Sequence, residues 1–254
     1  MTGGTGEFGL EGRIAVVTGG GGWLGADICA DLAGAGAAVA VAGRTPESIE
    51  AVRDELVAAG GRAIAVVCDI ADKASVDAMA ETVVEELGGI DVLVNNAAIY
   101  PVRPWTEITE DEWDAVLATN LKGCFLCARA CFASMKERGR GRVVNLTSTT
   151  FHYGFPGATV MDYVSSKAGI IGFTRALARE AGPDNVTVNA ISAGAFERTG
   201  SNSEEYARWV LEHQSIKRRG TPHDIGNLVV FLAGDASSFI TGQTIVIDGG
   251  MATI

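Results

Sequence analysis

The stretch Thr18-Gly19-Gly20-Gly21-Gly22-Trp23-Leu24-Gly25 decides how this chain is read. It follows a β-branched run and opens a segment with helical spacing, so its glycines sit in a strand-to-helix turn. Glycines at 19, 22 and 25 give the pattern G-x-x-G-x-x-G. In that setting the first permits a tight turn and the second lets backbone approach a pyrophosphate. The third lets the helix pack closely on the sheet. Amides at the helix start then face the anion, helped by the helix dipole. Thr18, Gly19, Gly22, Trp23, Leu24 and Gly25 are therefore expected to hold a dinucleotide. The competing reading is an empty structural turn in a glycine-rich chain.

Outward from this turn, short β-branched runs alternate with helical segments through the 254 residues. The runs are Arg13–Thr18, Ala37–Ala42, Ala63–Cys68, Ile90–Asn95, Arg142–Thr147, Val186–Ile191 and Thr244–Asp248. Most are continuously apolar, which predicts parallel strands covered on both faces. Helical spacing recurs at Pro46–Ala59, Lys73–Leu87, Glu110–Lys136, Asp162–Ala181 and Pro222–Leu232, the third read as one long helix. Right-handed β–α alternation gives an α/β fold. It is a Rossmann-type doubly wound, mostly parallel seven-stranded sheet with helices on both faces. No linker or repeat divides the chain. Residues 10–254 read as a single domain behind a flexible N-terminal tail, residues 1–9. The long irregular segment 193–219, helical only around Glu204–Glu212, reads as a substrate lid.

Hydrophobic residues make up 47% and charged residues 20%, enough for a sizeable core. The net charge of −11 opposes nucleic acid or an anionic membrane as partner, since both need concentrated basic charge. No uninterrupted apolar run reaches about 18 residues, and the polar start, Met1 to Gly9, does not read as a signal peptide. Five cysteines, an odd number, fit free thiols in a reducing compartment, so a cytoplasmic location is expected.

The end of the second strand is where such folds discriminate the ribose. A carboxylate there would accept a bond from a free 2′-hydroxyl and repel a 2′-phosphate. This chain has Ala42-Gly43-Arg44-Thr45 instead. Arg44 beside the Thr45 hydroxyl suits a phosphate, which favours NADP(H). NAD(H) is the alternative if Arg44 is an ordinary solvated arginine. Further on, Tyr163-Val164-Ser165-Ser166-Lys167 places a phenol and an ammonium four apart on one helical face. A free tyrosine, with a pKa of about 10, is a poor base at neutral pH. A nearby fixed cation favours the phenolate, although the spacing alone also arises by chance.

Further motifs accompany that pair. They are Cys68-Asp69-Ile70, Asn95-Asn96-Ala97, Asn120 in the long helix and Asn145-Leu146-Thr147-Ser148. Val188-Asn189-Ala190-Ile191, Thr241-Gly242-Gln243 and Asp248-Gly249-Gly250 complete the set. With these in order, the chain from about Leu10 onward resembles the short-chain dehydrogenase/reductase family, in its compact single-domain branch. The resemblance implies catalytic Asn120, Ser148, Tyr163 and Lys167. Tyr163 would exchange a proton with the alcohol or carbonyl oxygen during hydride transfer. Lys167 would lower the Tyr163 pKa and hold the nicotinamide ribose. Ser148 would bond the reacting oxygen, and Asn120 would support a water chain to Lys167. Asp69, with Ile70 beside it, would meet the adenine, while Asn95 and Ala97 would line the cofactor groove. Gly194 and Thr199 would serve the nicotinamide amide. The resemblance further implies a homotetramer, or a homodimer.

The chain departs from the family pattern at four places. Trp23 stands where the compact branch usually has glycine, and Ala98 follows Asn95-Asn96-Ala97 in place of glycine. Ala193-Gly194 replaces Pro-Gly. Ser148 and Tyr163 are 15 positions apart, slightly wide, so Thr150 rivals Ser148, with the surplus assigned to the Gly154–Gly157 loop. Cys124, Cys127 and Cys131 read as an apolar core or interface stripe, and no metal site is expected. Tyr100, Trp105, Phe151, His152, Tyr153, Phe155, Tyr206 and Trp209 are candidates for an apolar pocket wall. Members acting on aryl or cyclic ketones, of the 1-phenylethanol dehydrogenase kind, are similar around Tyr100-Pro101 and Leu146–Thr150. The expected function is interconversion of a secondary alcohol and a ketone. One alternative is 3-oxoacyl-carrier-protein reduction, with Lys217, Arg218 and Arg219 as a patch for the acidic carrier. The other is a dinucleotide-binding sensor or structural subunit without turnover.

Overall fold

The computed structural model describes residues 9–152, 159–197 and 204–252. The expected tail at 1–9 lies outside them except for Gly9. The strands are β1 (Ile14–Thr18), β2 (Ala38–Gly43), β3 (Ala63–Val67), β4 (Val92–Asn95), β5 (Gly141–Ser148), β6 (Val186–Ala193) and β7 (Thr244–Ile247). They form one seven-stranded sheet in the order β3-β2-β1-β4-β5-β6-β7, and every pair is parallel. The order reverses between β1 and β4, and a crevice opens at that switch point beyond the carboxyl ends of the strands.

Successive strand residues alternate between two cores. Val16, Leu93 and Val143 face α3 (Lys73–Leu87), α5 (Gly123–Glu137) and α6 (Met161–Ala181). Val17, Val94 and Val144 face α1 (Trp23–Gly34), α2 (Pro46–Ala58) and α8 (Pro222–Ala233). Burying both faces is what the uninterrupted apolar strands require. Helix starts follow their local signals. Asp72 accepts from Ala74 N–H at 3.1 Å to cap α3, and Thr221 with Asp224 forms a capping box on α8 behind Pro222. Helix α7 (Glu204–His213) lies in the segment read as a lid.

One element differs from its expected form. The run Glu110–Lys136 is not a single regular helix: α4 (Glu110–Leu117) passes through a π turn at Ala118–Lys122 into α5. Within this wider turn Cys124 Sγ donates to the Asn120 carbonyl at 3.1 Å. The continuous stretch Glu110–Glu137 is long and apolar enough for a membrane span by length and composition, yet it packs on α3, β4 and β5.

At the amino ends of the strands, opposite the crevice, Asp91 ties β1, β4 and β5 together. It is 1% exposed and accepts from Ile14 N–H at 2.9 Å, from Arg138 at 2.9 Å and from Arg140 at 2.7 Å. Burial alone would raise its carboxyl; the two arginines and the Ile14 amide outweigh that and hold it below its ordinary value. Its contribution is therefore present above the ordinary carboxylate range and lost as pH falls through the lowered folded pKa. Asp91→Ala should destabilise the protein by about 3 kcal/mol in urea unfolding at neutral pH, with the gap from wild type narrowing in acid. A gap below about 0.5 kcal/mol at neutral pH would mean that the cluster behaves as a surface ion pair.

Candidate active site

The carboxyl ends of β1 to β6 and the turns that follow them, with Met251 from beyond β7, line one cavity of about 1120 Å³. At its cofactor half, Gly19 has φ +64°, and a Cβ there would lie 2.9 Å from Ala97 Cα. A Cβ on Gly25 would fall 2.0 Å from Gly19 O, so α1 meets the turn too closely for any side chain. Gly22 is different. Its φ is −93°, and an added Cβ would meet only Gly19 O, at 3.3 Å. Neither strain nor packing asks for glycine there; the open side faces the cavity. Helix α1 begins with no side-chain cap and no acid in its first turn, leaving amides for an anion. These features fit a dinucleotide pyrophosphate.

Of the residues expected to bind the cofactor, Trp23, Leu24, Arg44, Thr45, Asp69, Ile70, Ala97 and Gly194 line this cavity. Arg44 is exposed at the far end, beside Ser48, a residue that sequence reasoning did not single out. The Asp69 carboxylate accepts from Ala71 N–H at 2.9 Å, fixing the turn after β3. Gly194 is required by packing, since a Cβ would lie 2.5 Å from Asp248 Cβ. Asp248 in turn accepts from the amides of Gly250, Met251 and Ala252, which brings Met251 to the wall.

Two expected groove residues are not in the wall. Thr18 is 1% exposed and braces the turn, accepting from Asn96 N–H at 3.1 Å and Ala97 N–H at 3.2 Å. Asn95 is 2% exposed and donates to Asn145 Oδ1 at 2.8 Å inside the sheet. Strand alternation explains this, because Asn95 shares the face of Leu93. Asn96 lines the cavity instead and donates to Thr18 O at 2.9 Å. Thr199 lies outside the described residues.

At the chemical half, α6 presents Tyr163 and Lys167 to the cavity. Burial pushes the Tyr163 phenol from 10.0 up to about 12; a hydrogen bond with Ser148 pulls the other way. Lys167 is 3% exposed, and burial lowers its ammonium from 10.5 to about 8. Its Nζ donates to Leu146 O at 2.7 Å and lies 5.6 Å from the Tyr163 ring centre. For Tyr163 burial moves the phenol upward, and the hydrogen bond that opposes this comes from Ser148. Tyr100 meets the Tyr163 ring edge-on, with centroids 4.6 Å apart.

Asn120 is fully buried. Its side chain clamps the Ile99 backbone, accepting from N–H at 2.9 Å and donating to O at 3.0 Å, and also donates to Ser166 Oγ at 3.1 Å. Ser166 Oγ donates to Tyr163 O at 2.7 Å, so Asn120 is joined to the first turn of α6. Thr150, the rival to Ser148, lines the cavity as well, and its Oγ1 donates to Ser148 Oγ at 3.1 Å. Of the aromatic candidates, Tyr100, Trp105, Tyr206 and Trp209 line the cavity, as do Met161 and Met251. Phe151 and His152 are outside that wall and pack on each other at 3.9 Å, while Tyr153 and Phe155 fall outside the described residues.

A family model described as enoyl-(acyl carrier protein) reductase matches residues 23–252. A (2S)-((R)-hydroxy(phenyl)methyl)succinyl-CoA dehydrogenase subunit of Thauera aromatica is 37% identical over 245 residues, covering 96% of this chain and 98% of the relative. A 3-oxoacyl-acyl-carrier-protein reductase of Staphylococcus aureus is 40% identical, covering 94% and 98%. The crystal structure of a short-chain type dehydrogenase/reductase from Mycobacterium marinum superposes with a TM-score of 0.91 at 33% identity, covering 97% and 98%. The chain belongs to the short-chain dehydrogenase/reductase family, whose members bind NAD(P), and is an oxidoreductase acting on CH–OH and C=O groups.

Proposed function

We propose that this enzyme interconverts a secondary alcohol and a ketone with NADP(H), preferring a ring-bearing or otherwise apolar substrate. The observation that carries the reading is the bond between Ser148 and Tyr163, beside buried Lys167, at the end of the glycine-turn cavity. NADP(H) supplies the hydride when bound, with Gly22 and the start of α1 holding its pyrophosphate and Arg44 its 2′-phosphate. In reduction, neutral Tyr163 gives its proton to the carbonyl oxygen while Ser148 bonds that oxygen as charge develops. Lys167, an ammonium below about 8, restores the proton. Tyr100, Trp105, Met161 and Trp209 form an apolar wall suited to a ring.

The carrier-protein alternative is favoured by the Staphylococcus aureus relative, and of its expected basic patch Lys217 and Arg218 are exposed, with Arg218 paired to a carboxylate. Lys217 donates to the carbonyls of Leu211, Glu212 and Gln214, Arg218 pairs with Asp224, and Arg219 bonds Phe196 O.

Tyr163→Phe should cut turnover by more than about tenfold while leaving cofactor affinity nearly unchanged. Reduction by the wild type should decline as pH rises past about 8, where Lys167 loses its proton. Retention of most of the rate by Tyr163→Phe would remove Tyr163 as the acid.

In fluorescence titrations, wild type should bind NADPH about ten- to a hundredfold more tightly than NADH, and Arg44→Ala should bring the two toward parity. Arg44 is a cleaner position than Gly43, where a Cβ would press on Ile49 Cγ2 at 2.9 Å. An NADH preference in wild type, or no effect of Arg44→Ala, would place Arg44 in solvent.

Matched kcat/KM values should favour an aryl or cyclic ketone over acetone by at least about tenfold, since ring burial contributes well over 1.4 kcal/mol. Equal values would show that the aromatic wall does not hold the substrate.

A further inference from the structure

Ser148 Oγ has one proton to give and two lone pairs. The Thr150 amide takes one lone pair at 3.3 Å, because Ser148 caps the short helical turn Thr149–Phe151. One proton and one lone pair remain for two hydroxyl neighbours, Tyr163 and Thr150 Oγ1, the latter at 3.1 Å. The three hydroxyls therefore form a chain whose direction depends on Tyr163. When Tyr163 donates to Ser148, Ser148 has Thr150 to donate to. When Tyr163 is a phenolate, or a reacting oxygen calls for a donor, Ser148 gives its proton forward and accepts from Thr150.

We propose that Thr150 is a positioning residue for the reaction: its hydroxyl completes the bonding of Ser148 in both orientations, letting Ser148 act as acceptor and donor in turn. This rests on the proposed roles of Ser148 and Tyr163. No proton is lost from the chain by this reorientation; the transferred proton leaves Tyr163 for the carbonyl oxygen, and Ser148 and Thr150 each keep one. A donor behind Ser148 also polarises its O–H, strengthening the bond that it makes to developing negative charge. Without the Thr150 hydroxyl, Ser148 lacks a partner on that side in either state, and an unmet buried hydrogen bond is costly.

Thr150→Val, which keeps the shape and removes the hydroxyl, should lower kcat about tenfold, the equivalent of one lost hydrogen bond. KM and NADPH affinity should change little, so kcat/KM should fall together with kcat across the pH profile. Thr150→Ser should rescue the rate and the profile. In a Ser148→Ala background, Thr150→Val should have no further effect, because Thr150 acts through Ser148. If Thr150→Val fails to fold, judged by lost NADPH binding, Thr150→Ala carries the same comparison. Wild-type kcat and pH profile in the hydroxyl-free variant would overturn the proposal, as would equal impairment in Thr150→Ser or an additive loss with Ser148→Ala. Inactive wild type, or active Tyr163→Phe, would instead overturn the underlying reading of the site.

Discussion

Lys167 is 3% exposed, and its ammonium donates to the Leu146 carbonyl at 2.7 Å with no ion-pair partner among the described residues. Holding a charge under these conditions costs several kcal/mol unless its neighbours are fixed in advance. The protein fixes them with rigid elements. Leu146 belongs to central strand β5, whose register with β6 is continuous from Gly141 to Ser148. Thr147 Oγ1 donates to Lys167 O at 2.6 Å, pinning α6 to that strand. The penalty shows in the ammonium, which is lowered to about 8 and so can trade its proton near physiological pH.

The two ends of the sheet divide the work. At the amino ends, a fully bonded carboxylate, Asp91, locks three strands together. At the carboxyl ends, groups are left where stability alone would not put them: an ammonium with no ion-pair partner among the described residues, a half-buried phenol pushed up to about 12 and a helix start without a cap. The Asn120 clamp on Ile99 and its link through Ser166 hold the loop after β4 against α6, so Tyr100 meets the Tyr163 ring from a fixed position. The π turn that delivers Asn120 also buries Cys124 against its carbonyl, where burial raises the thiol to about 11 and keeps it protonated. Cys124 thus does more than fill the apolar stripe suggested by its spacing with Cys127 and Cys131.

Much of this was legible in the sequence because it rests on local chemistry. Uninterrupted apolar strands announce a parallel sheet, and Thr221-Pro222 with Asp224 announces a helix start. The glycines at 19 and 25 are dictated by a left-handed φ and by a close approach. What escaped was set by facing direction and by packing between distant segments. Asn95 and Thr18 carry groove-like chemistry but end strands on their inward-facing sides, and a count of the period-two alternation would have exchanged Asn95 for Asn96. The π turn has no composition signal within an amphipathic helix. Phe151 and His152 lie near the catalytic strand in sequence, yet they pack on each other outside the cavity wall, while Ser166 and Thr150 gain their roles only through contacts with Asn120 and Ser148.

Lys167 is a nearly buried ammonium with no ion-pair partner among the described residues. An NMR titration of the full-length protein with isotopically labelled lysine, using Lys167→Met to assign the resonance, tests this state directly. Lys167 is expected to titrate near 8, apart from the other lysines. Titration at the ordinary value of 10.5 would contradict it.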